Sequence, residues 1–271
     1  MDVQAMRCAI VTGASSGIGA ATAILLAERG YDVGLTYRGN EQGARHTAEA
    51  IEALGRRAVV AQLDLSAPER AQAAIGEISE DLGRLDVLVN NAGVNHRAEG
   101  LEETVEGFNE TLAVDLVAPW ACAKAAAERM IEAGSGGRIV NVSSILAFVP
   151  LAGGGAYCAA KAGLELLTKV LALEWAQHGI TVNALAPGHT ATPMNFDAAT
   201  LDGTVIERPV IPLRRAAAAE ELAATIAFLA SEEASYVTGA CLLVDGGLAL
   251  ASGPQQLQQL VGLPPEAEAG S

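Results

Sequence analysis

Residues 8–19 read CAIVTGASSGIG, and this run decides the fold. Cys8, Ala9, Ile10 and Val11 are continuously apolar, as in a strand covered on both faces, and they lead straight into a turn holding Gly13, Gly17 and Gly19. An Ala- and Leu-rich stretch, 20–29, follows with helical character and closes at Gly30. Strand, glycine turn and helix in immediate succession place backbone N–H groups and the positive end of a helix dipole together. A pyrophosphate can approach there without meeting a side chain. The spacing is G-x-x-x-G-x-G rather than the G-x-G-x-x-G common in dinucleotide domains, so on this stretch alone a nucleotide site and an ordinary glycine turn both stay open.

The same rhythm continues outward. Short apolar or β-branched runs at 8–11, 33–37, 58–62, 87–89, 138–142, 181–185 and 240–244 are the expected strands, with helical stretches between them. The stretch 41–54 closes at Gly55, and 68–82 opens on Pro68 and closes at Gly83, as helix punctuation requires. Strands joined through helices run parallel with right-handed crossovers. The expected fold class is therefore α/β: a single Rossmann-type doubly wound domain over residues 1–253, with a seven-stranded parallel sheet and helices on both faces. Residues 254–271, rich in Pro, Gln and Glu, lose the rhythm and are expected as a C-terminal tail. Residues 193–212 form the other irregular stretch, expected as a lid or binding loop.

With 271 residues, 51% hydrophobic and 18% charged, the chain can bury a sizeable core. Its 32 acidic against 17 basic residues repel phosphate backbones, which argues against nucleic acid or an anionic membrane as partner. Apolar stretches are too short to span a bilayer and the N-terminus lacks a basic region followed by an apolar core, so a cytoplasmic location is expected. Cys8, Cys122, Cys158 and Cys241 form no C-x-x-C pair and read as reduced, mostly buried thiols; no histidine or carboxylate cluster has metal-ligand spacing.

Further motifs recur at the ends of the strands: Asn90-Asn91-Ala92-Gly93 after the fourth, Ser144 after the fifth, Tyr157-x-x-x-Lys161 in the helix beyond it, Pro187-Gly188 after the sixth, and Val244-Asp245-Gly246-Gly247 after the last. As an ordered set from about residue 7 to 247 they resemble the short-chain dehydrogenase/reductase family. The segment from Ile211-Pro212-Leu213 to Val244-Asp245-Gly246-Gly247 is similar to both 3-oxoacyl-carrier-protein reductases and sugar or polyol dehydrogenases, without separating them.

The chemistry of the central pair is plain. Tyr157 and Lys161 sit one helical turn apart on one face. A phenol titrates near ~10 and exchanges a proton poorly near neutrality unless a nearby cation stabilises the phenolate. The resemblance implies Tyr157 as general acid/base, Ser144 orienting the substrate carbonyl, and Lys161 also holding the nicotinamide ribose. It implies an asparagine in the preceding helix that helps hold a water linking the lysine to solvent; here 113–116 read Ala-Val-Asp-Leu, so Asp115 stands at that position. Aspartate is nearly isosteric but loses the NH₂ donors and brings a negative charge near Lys161, which leads to expect either activity with a changed pH optimum or a weakened, repurposed site.

The cofactor contacts follow by the same resemblance. Gly13, Ser15, Ser16, Gly17, Ile18 and Gly19 correspond to the pyrophosphate loop, Asp64 and Leu65 to adenine contacts, Asn91, Ala92 and Gly93 to the segment under the adenosine, and Pro187, Gly188, Thr190 and Thr192 to the nicotinamide loop. At the end of the second strand, where an acid would accept from the ribose of NAD, stand Tyr37 and Arg38. A guanidinium attracts a 2′-phosphate, so NADP(H) is favoured over NAD(H), although Ser16 occupies a place where many NADP-dependent relatives carry arginine.

The expected function is hydride transfer between NADP(H) and a small-molecule carbonyl or secondary alcohol. The alternative is an NAD(P)-binding regulatory or scaffold protein whose catalysis Asp115 weakens. A sugar-nucleotide epimerase is disfavoured by the glycine spacing. A protein-carried acyl substrate would want a basic patch at the mouth, for which Arg97, Arg208, Arg214 and Arg215 are available; His189, Asn95 and His96 are further candidates for the entrance. The resemblance also implies a homotetramer.

Overall fold

The computed structural model describes residues 6–196, 201 and 205–251; the expected tail at 254–271 lies outside the described residues. All seven expected strands form: β1 (Arg7–Val11), β2 (Tyr31–Tyr37), β3 (Ala58–Gln62), β4 (Val87–Asn90), β5 (Gly137–Val142), β6 (Ile180–Pro187) and β7 (Cys241–Val244). They make one parallel sheet in the order β3-β2-β1-β4-β5-β6-β7. The helices are α1 (Gly17–Glu28), α2 (Glu41–Ala53), α3 (Pro68–Leu82), α4 (Val105–Leu112), α5 (Ala118–Ala133), α6 (Gly155–Trp175), α7 (Ala219–Leu229) and the single turn α8 (Leu248–Ala251).

The sheet is buried from both sides, which is why its strands lack polar alternation. On one face Ile75, Ile78, Met130 and Leu171 from α3, α5 and α6 pack with Leu88 and Ile139; on the other Leu26, Ile51 and Ile226 from α1, α2 and α7 pack with Val33 and Leu185. Helix ends follow local chemistry. The Asn40 side chain accepts from the Gly43 N–H to start α2, the Thr104 hydroxyl accepts from the Gly107 N–H to start α4, and Gly83 at φ +88° stops α3. The helix α1 begins at Gly17, earlier than the expected residue 20, because the glycines of the turn themselves form its first turn despite their low helix propensity.

The order reverses at β1: the chain moves outward to β2 and β3, then returns to β4 on the other side. At such a switch point the loops leaving the carboxyl ends of the two neighbouring strands diverge and open a crevice. Gly13, Ser15, Ser16, Asn91, Ala92 and Gly93 lie on those loops, and most of the other candidates follow the carboxyl ends of the remaining strands.

Candidate functional site

A cleft of about 820 Å³ occupies this crevice, within the range that holds small molecules and cofactors. Of the expected site residues, Gly13, Ser15, Ser16, Gly17, Ile18, Arg38, Asp64, Leu65, Asn91, Ala92, Gly93, Ser144, Tyr157, Lys161, Pro187, Gly188, Thr190 and Thr192 all line it. Gly19 and Asp115 do not; each lies behind a lining residue.

The glycine turn is held from beneath. Gly13 adopts φ +67°, and a Cβ there would lie 2.8 Å from the Ala92 Cα, so only glycine lets the two loops touch. Asn91 Nδ2 donates to the carbonyls of Thr12 and Gly13 at 2.9 and 3.1 Å, and the Thr12 hydroxyl accepts from the N–H groups of Asn91 and Ala92. Ser16 precedes α1 in an extended conformation and no side chain caps the helix, which leaves its first-turn N–H groups open to an anion in the cleft. Arg38 is exposed on the rim, near enough to Asp64 to help hold that carboxylate below its ordinary range, an effect due first to the Ser66 backbone N–H. These features fit a nicotinamide dinucleotide.

The second half of the cleft is built around α6. Tyr157 is 8% exposed, and the Lys161 Nζ stands 5.5 Å from its ring centroid. Lys161 donates to the Val142 carbonyl at 3.2 Å, and Asp115 Oδ1 lies 3.0 Å from its Nζ. Asp115 is 0% exposed and accepts the Val94 N–H at 3.2 Å through its other oxygen. It sits in the middle of a π-helical segment, Ala113–Val117, that joins α4 to α5; the wider turn bulges this residue out of the regular helix. A Cβ on Gly93 would stand 2.5 Å from Asp115 Oδ1, so that glycine is required by the carboxylate's position.

This pairing puts the negative charge expected from the sequence in direct contact with Lys161. Burial pushes the Tyr157 phenol above its ordinary pKa; Lys161 pulls it down, and Asp115 pushes it up again. Burial pulls Lys161 down, but Asp115, with help from Tyr157 and Glu165, more than offsets that, so the ammonium is held above its ordinary value. Lys161 is therefore a committed cation whose charge is largely answered by Asp115. The Ser144 hydroxyl accepts from the Leu146 N–H at 3.1 Å and is itself a further influence lowering the Tyr157 pKa.

A buried polar chain missed at the level of sequence sets the position of α6. Asn90 Nδ2 donates to the Pro119 carbonyl and to Asn141 Oδ1, both at 2.9 Å, and Asn141 Nδ2 donates to the Thr168 hydroxyl at 2.9 Å. It ties β4, α5, β5 and α6 together where an apolar core would allow sliding. The available signal was Asn141 itself, a polar residue inside the apolar run 138–142.

The remaining candidates separate clearly. His189, Asn95, Arg97 and Arg208 line the cleft, whereas His96 turns out to solvent beside Glu103 at 3.5 Å. Arg215 is paired with Glu221 at 2.6 Å and Arg214 is an exposed turn residue at φ +61°. From the irregular stretch 193–212, Pro193, Met194, Asn195 and Arg208 reach the cleft; residues 197–200 and 202–204 lie outside the described residues. Among the described residues no group of His, Cys, Asp and Glu could hold a metal, and no helix is long and apolar enough to cross a membrane.

His189 is pushed down to about 4 by burial, then by Arg208 and Arg97. A depressed folded value means that its contribution to stability is fully present above the ordinary histidine pKa of ~6.5 and is lost as pH falls through the folded one. Thermal unfolding from pH 7 to pH 4 should thus show a smaller loss of stability in His189→Gln than in the wild type. An equal loss in both would mean that this ring is not forced to stay neutral.

A family model described as enoyl-(acyl carrier protein) reductase matches residues 13–249. The oxidoreductase YohF of Escherichia coli (strain K12) is 42% identical over 249 residues, covering 91% of this chain and 97% of that one. A cis-4-hydroxycyclohexanecarboxylate dehydrogenase of Sinomonas cyclohexanicum is 44% identical over 248 residues, covering 91% and 98%. The crystal structure of acetoin dehydrogenase from Enterobacter cloacae superposes with a TM-score of 0.87 at 45% identity, covering 92% of this chain and 98% of that one. Matched by the family model over residues 13–249 and by these relatives along nearly their whole length, the chain belongs to the short-chain dehydrogenase/reductase family and is an oxidoreductase of that family.

Proposed function

We propose that this protein interconverts a secondary alcohol and a carbonyl in a small molecule, using NADP(H), with Tyr157 as general acid/base. The observation that carries this is the single cleft in which an uncapped α1 N-terminus and Arg38 stand at one end and Ser144, Tyr157 and Lys161 at the other. The nicotinamide, when bound, supplies or accepts the hydride. Ser144 holds the substrate oxygen by its hydroxyl, Tyr157 gives that oxygen a proton in reduction and takes it in oxidation, and Lys161 keeps a positive charge beside the phenol. Thr190 and Thr192, both buried in the loop after β6, are placed to orient the cofactor's amide end. The two relatives named for acetoin and for a hydroxycyclohexanecarboxylate act, by name, on unlike alcohols, so substrate class is assigned from this chain's own cleft below.

Purified protein should consume NADPH with a panel of diketones, ketoses and cyclic ketones, and faster than NADH. Arg38 has no carboxylate at ion-pair distance among the described residues, which leaves its guanidinium for the 2′-phosphate. The variant Arg38→Asp should raise KM for NADPH about tenfold or more and lower the NADPH/NADH preference, since it replaces a charge-assisted bond by a repulsion. An unchanged preference would remove the assignment of NADP(H).

A second reading rests on the Asp115–Lys161 ion pair, which takes up much of the charge that would otherwise acidify Tyr157. In that case the protein binds the dinucleotide as a regulatory or scaffold protein. Cofactor binding without turnover across the panel, in the wild type and in Asp115→Asn alike, would select it. We further propose a cytoplasmic homotetramer: Val117 just before α5, Trp120 in its first turn and Leu166, Val170 and Leu173 on α6 are exposed apolar side chains, suited to symmetric packing against a second copy.

A further inference from the structure

The substrate end of the cleft carries positive charge that the proton-transfer chemistry leaves unused. Although the chain is strongly acidic, the one carboxylate among the described residues lining the cleft is Asp64, at the adenosine end. Lys161 is answered by Asp115. Arg97 and Arg208 have no carboxylate at ion-pair distance among the described residues. Arg97 Nε donates only to Asn95 Oδ1 at 3.4 Å, whereas Arg208 is held on several sides.

Arg208 Nε donates to His189 Nδ1 at 3.3 Å, its Nη1 donates to the Glu207 carbonyl at 2.8 Å, and its guanidinium carbon lies 4.8 Å from the Phe196 ring centroid. The Phe196 ring in turn lies 4.8 Å from the His189 ring, tilted by 40°. The backbone is braced as well: the Arg208 N–H donates to the Arg214 carbonyl at 2.8 Å, Glu207 and Arg215 form an antiparallel bridge, and the Ala217 N–H donates to the His189 carbonyl at 3.0 Å. The guanidinium is thus fixed before any ligand arrives, with donors to spare. Because His189 Nδ1 accepts from Arg208, its ring proton sits on Nε2, a further neutral donor at this end. The positive field of both arginines is felt at His189, as its lowered pKa records after burial. The same cleft is also lined by the apolar Ile145, Leu151 and Leu248, packed with Ile211.

We propose that Arg208, assisted by Arg97, binds a carboxylate of the substrate, so that the preferred substrates are hydroxy acids and the matching keto acids in which an apolar ring or chain separates the reacting carbon from the carboxylate. This rests on the alcohol–carbonyl reading above. A carboxylate is assigned rather than a phosphate because one well-held guanidinium, with an exposed second one, answers a single negative charge rather than two. Arg208 is a specificity residue here, acting away from the reacting atoms.

The test compares cis-4-hydroxycyclohexanecarboxylate with its methyl ester as substrates. The acid should be favoured in kcat/KM by about tenfold or more, the scale of a charge-assisted hydrogen bond, mostly through KM. In Arg208→Gln that preference should fall about tenfold, with Arg208→Lys intermediate, while Arg70→Gln, whose residue pairs with Glu77 on the surface, keeps the wild-type ratio. Equal use of acid and ester by wild type, or a ratio unmoved by Arg208→Gln, would overturn the proposal and leave the oxidoreductase reading standing. Should neither compound be oxidised, calorimetric titration with cyclohexanecarboxylate, cyclohexanecarboxamide and cyclohexyl phosphate, with and without NADPH, decides it. Carboxylate binding tighter than amide and lost in Arg208→Gln supports the site even if turnover fails; equal binding, or tighter phosphate binding, overturns it. Unfolding temperatures of the variants confirm that each is folded.

Discussion

Tyr157→Phe should lower kcat about 10³-fold in both directions while the protein still binds NADPH. The side chain keeps its ring, which fills the space between Lys161 and the loop after β5, and loses only the group able to exchange a proton with the substrate oxygen. Ser144 cannot replace it: a serine hydroxyl ionises far less readily than a phenol. The loss should fall on kcat rather than on KM, because the proton moves only as the reaction proceeds. Stopped-flow absorbance at the nicotinamide band measures it directly, and turnover within tenfold of wild type would place the proton donor elsewhere and end the assignment.

The second large effect concerns Lys161 and Asp115, which are 3% and 0% exposed and 3.0 Å apart. Removing one partner of a buried ion pair strands the other in a low dielectric, a cost of about 3–5 kcal/mol. Lys161→Met should therefore lower the unfolding temperature by roughly 10 °C, given about 2–4 °C per kcal/mol for a chain of this size class. Asp115→Asn should be milder, because asparagine retains an acceptor for the Val94 N–H and Lys161 keeps the Val142 carbonyl as acceptor. Since the folded pKa of Lys161 is raised, the pair's contribution is fully present below the ordinary lysine value of ~10.4 and is lost only as pH rises through the folded one. The pair's own contribution to wild-type stability should accordingly stay constant from pH 6 to pH 9. A Lys161→Met protein as stable as wild type would show that the pair is not formed.

The same carboxylate sets a pH signature. Asp115 raises the Tyr157 pKa, so Asp115→Asn lowers it. In the mechanism proposed above, alcohol oxidation uses the phenolate as base, and its rising limb in kcat/KM should move to lower pH. Carbonyl reduction needs the protonated phenol, and its falling limb should move the same way. A limb that stays in place, with activity otherwise intact, would mean that Asp115 acts on structure alone.

Much of this was legible along the chain. The strand runs, the glycine turn, the helix stops at Gly55 and Gly83, and the one-turn spacing of Tyr157 and Lys161 are written in neighbouring residues, because backbone conformation and side-chain periodicity are local. The motif positions at the ends of the strands also foretold their gathering, since a parallel sheet brings the carboxyl ends of its strands to one edge. What the linear order left open was of another kind. That Asp115 presses against Lys161, that Asn90, Asn141 and Thr168 form one chain, and that Arg208 stacks on Phe196 and bonds His189 are all contacts between distant segments. Their energies depend on separations of a few ångströms and on how far water is excluded, and neither quantity exists until the sheet has assembled and the helices have closed over it.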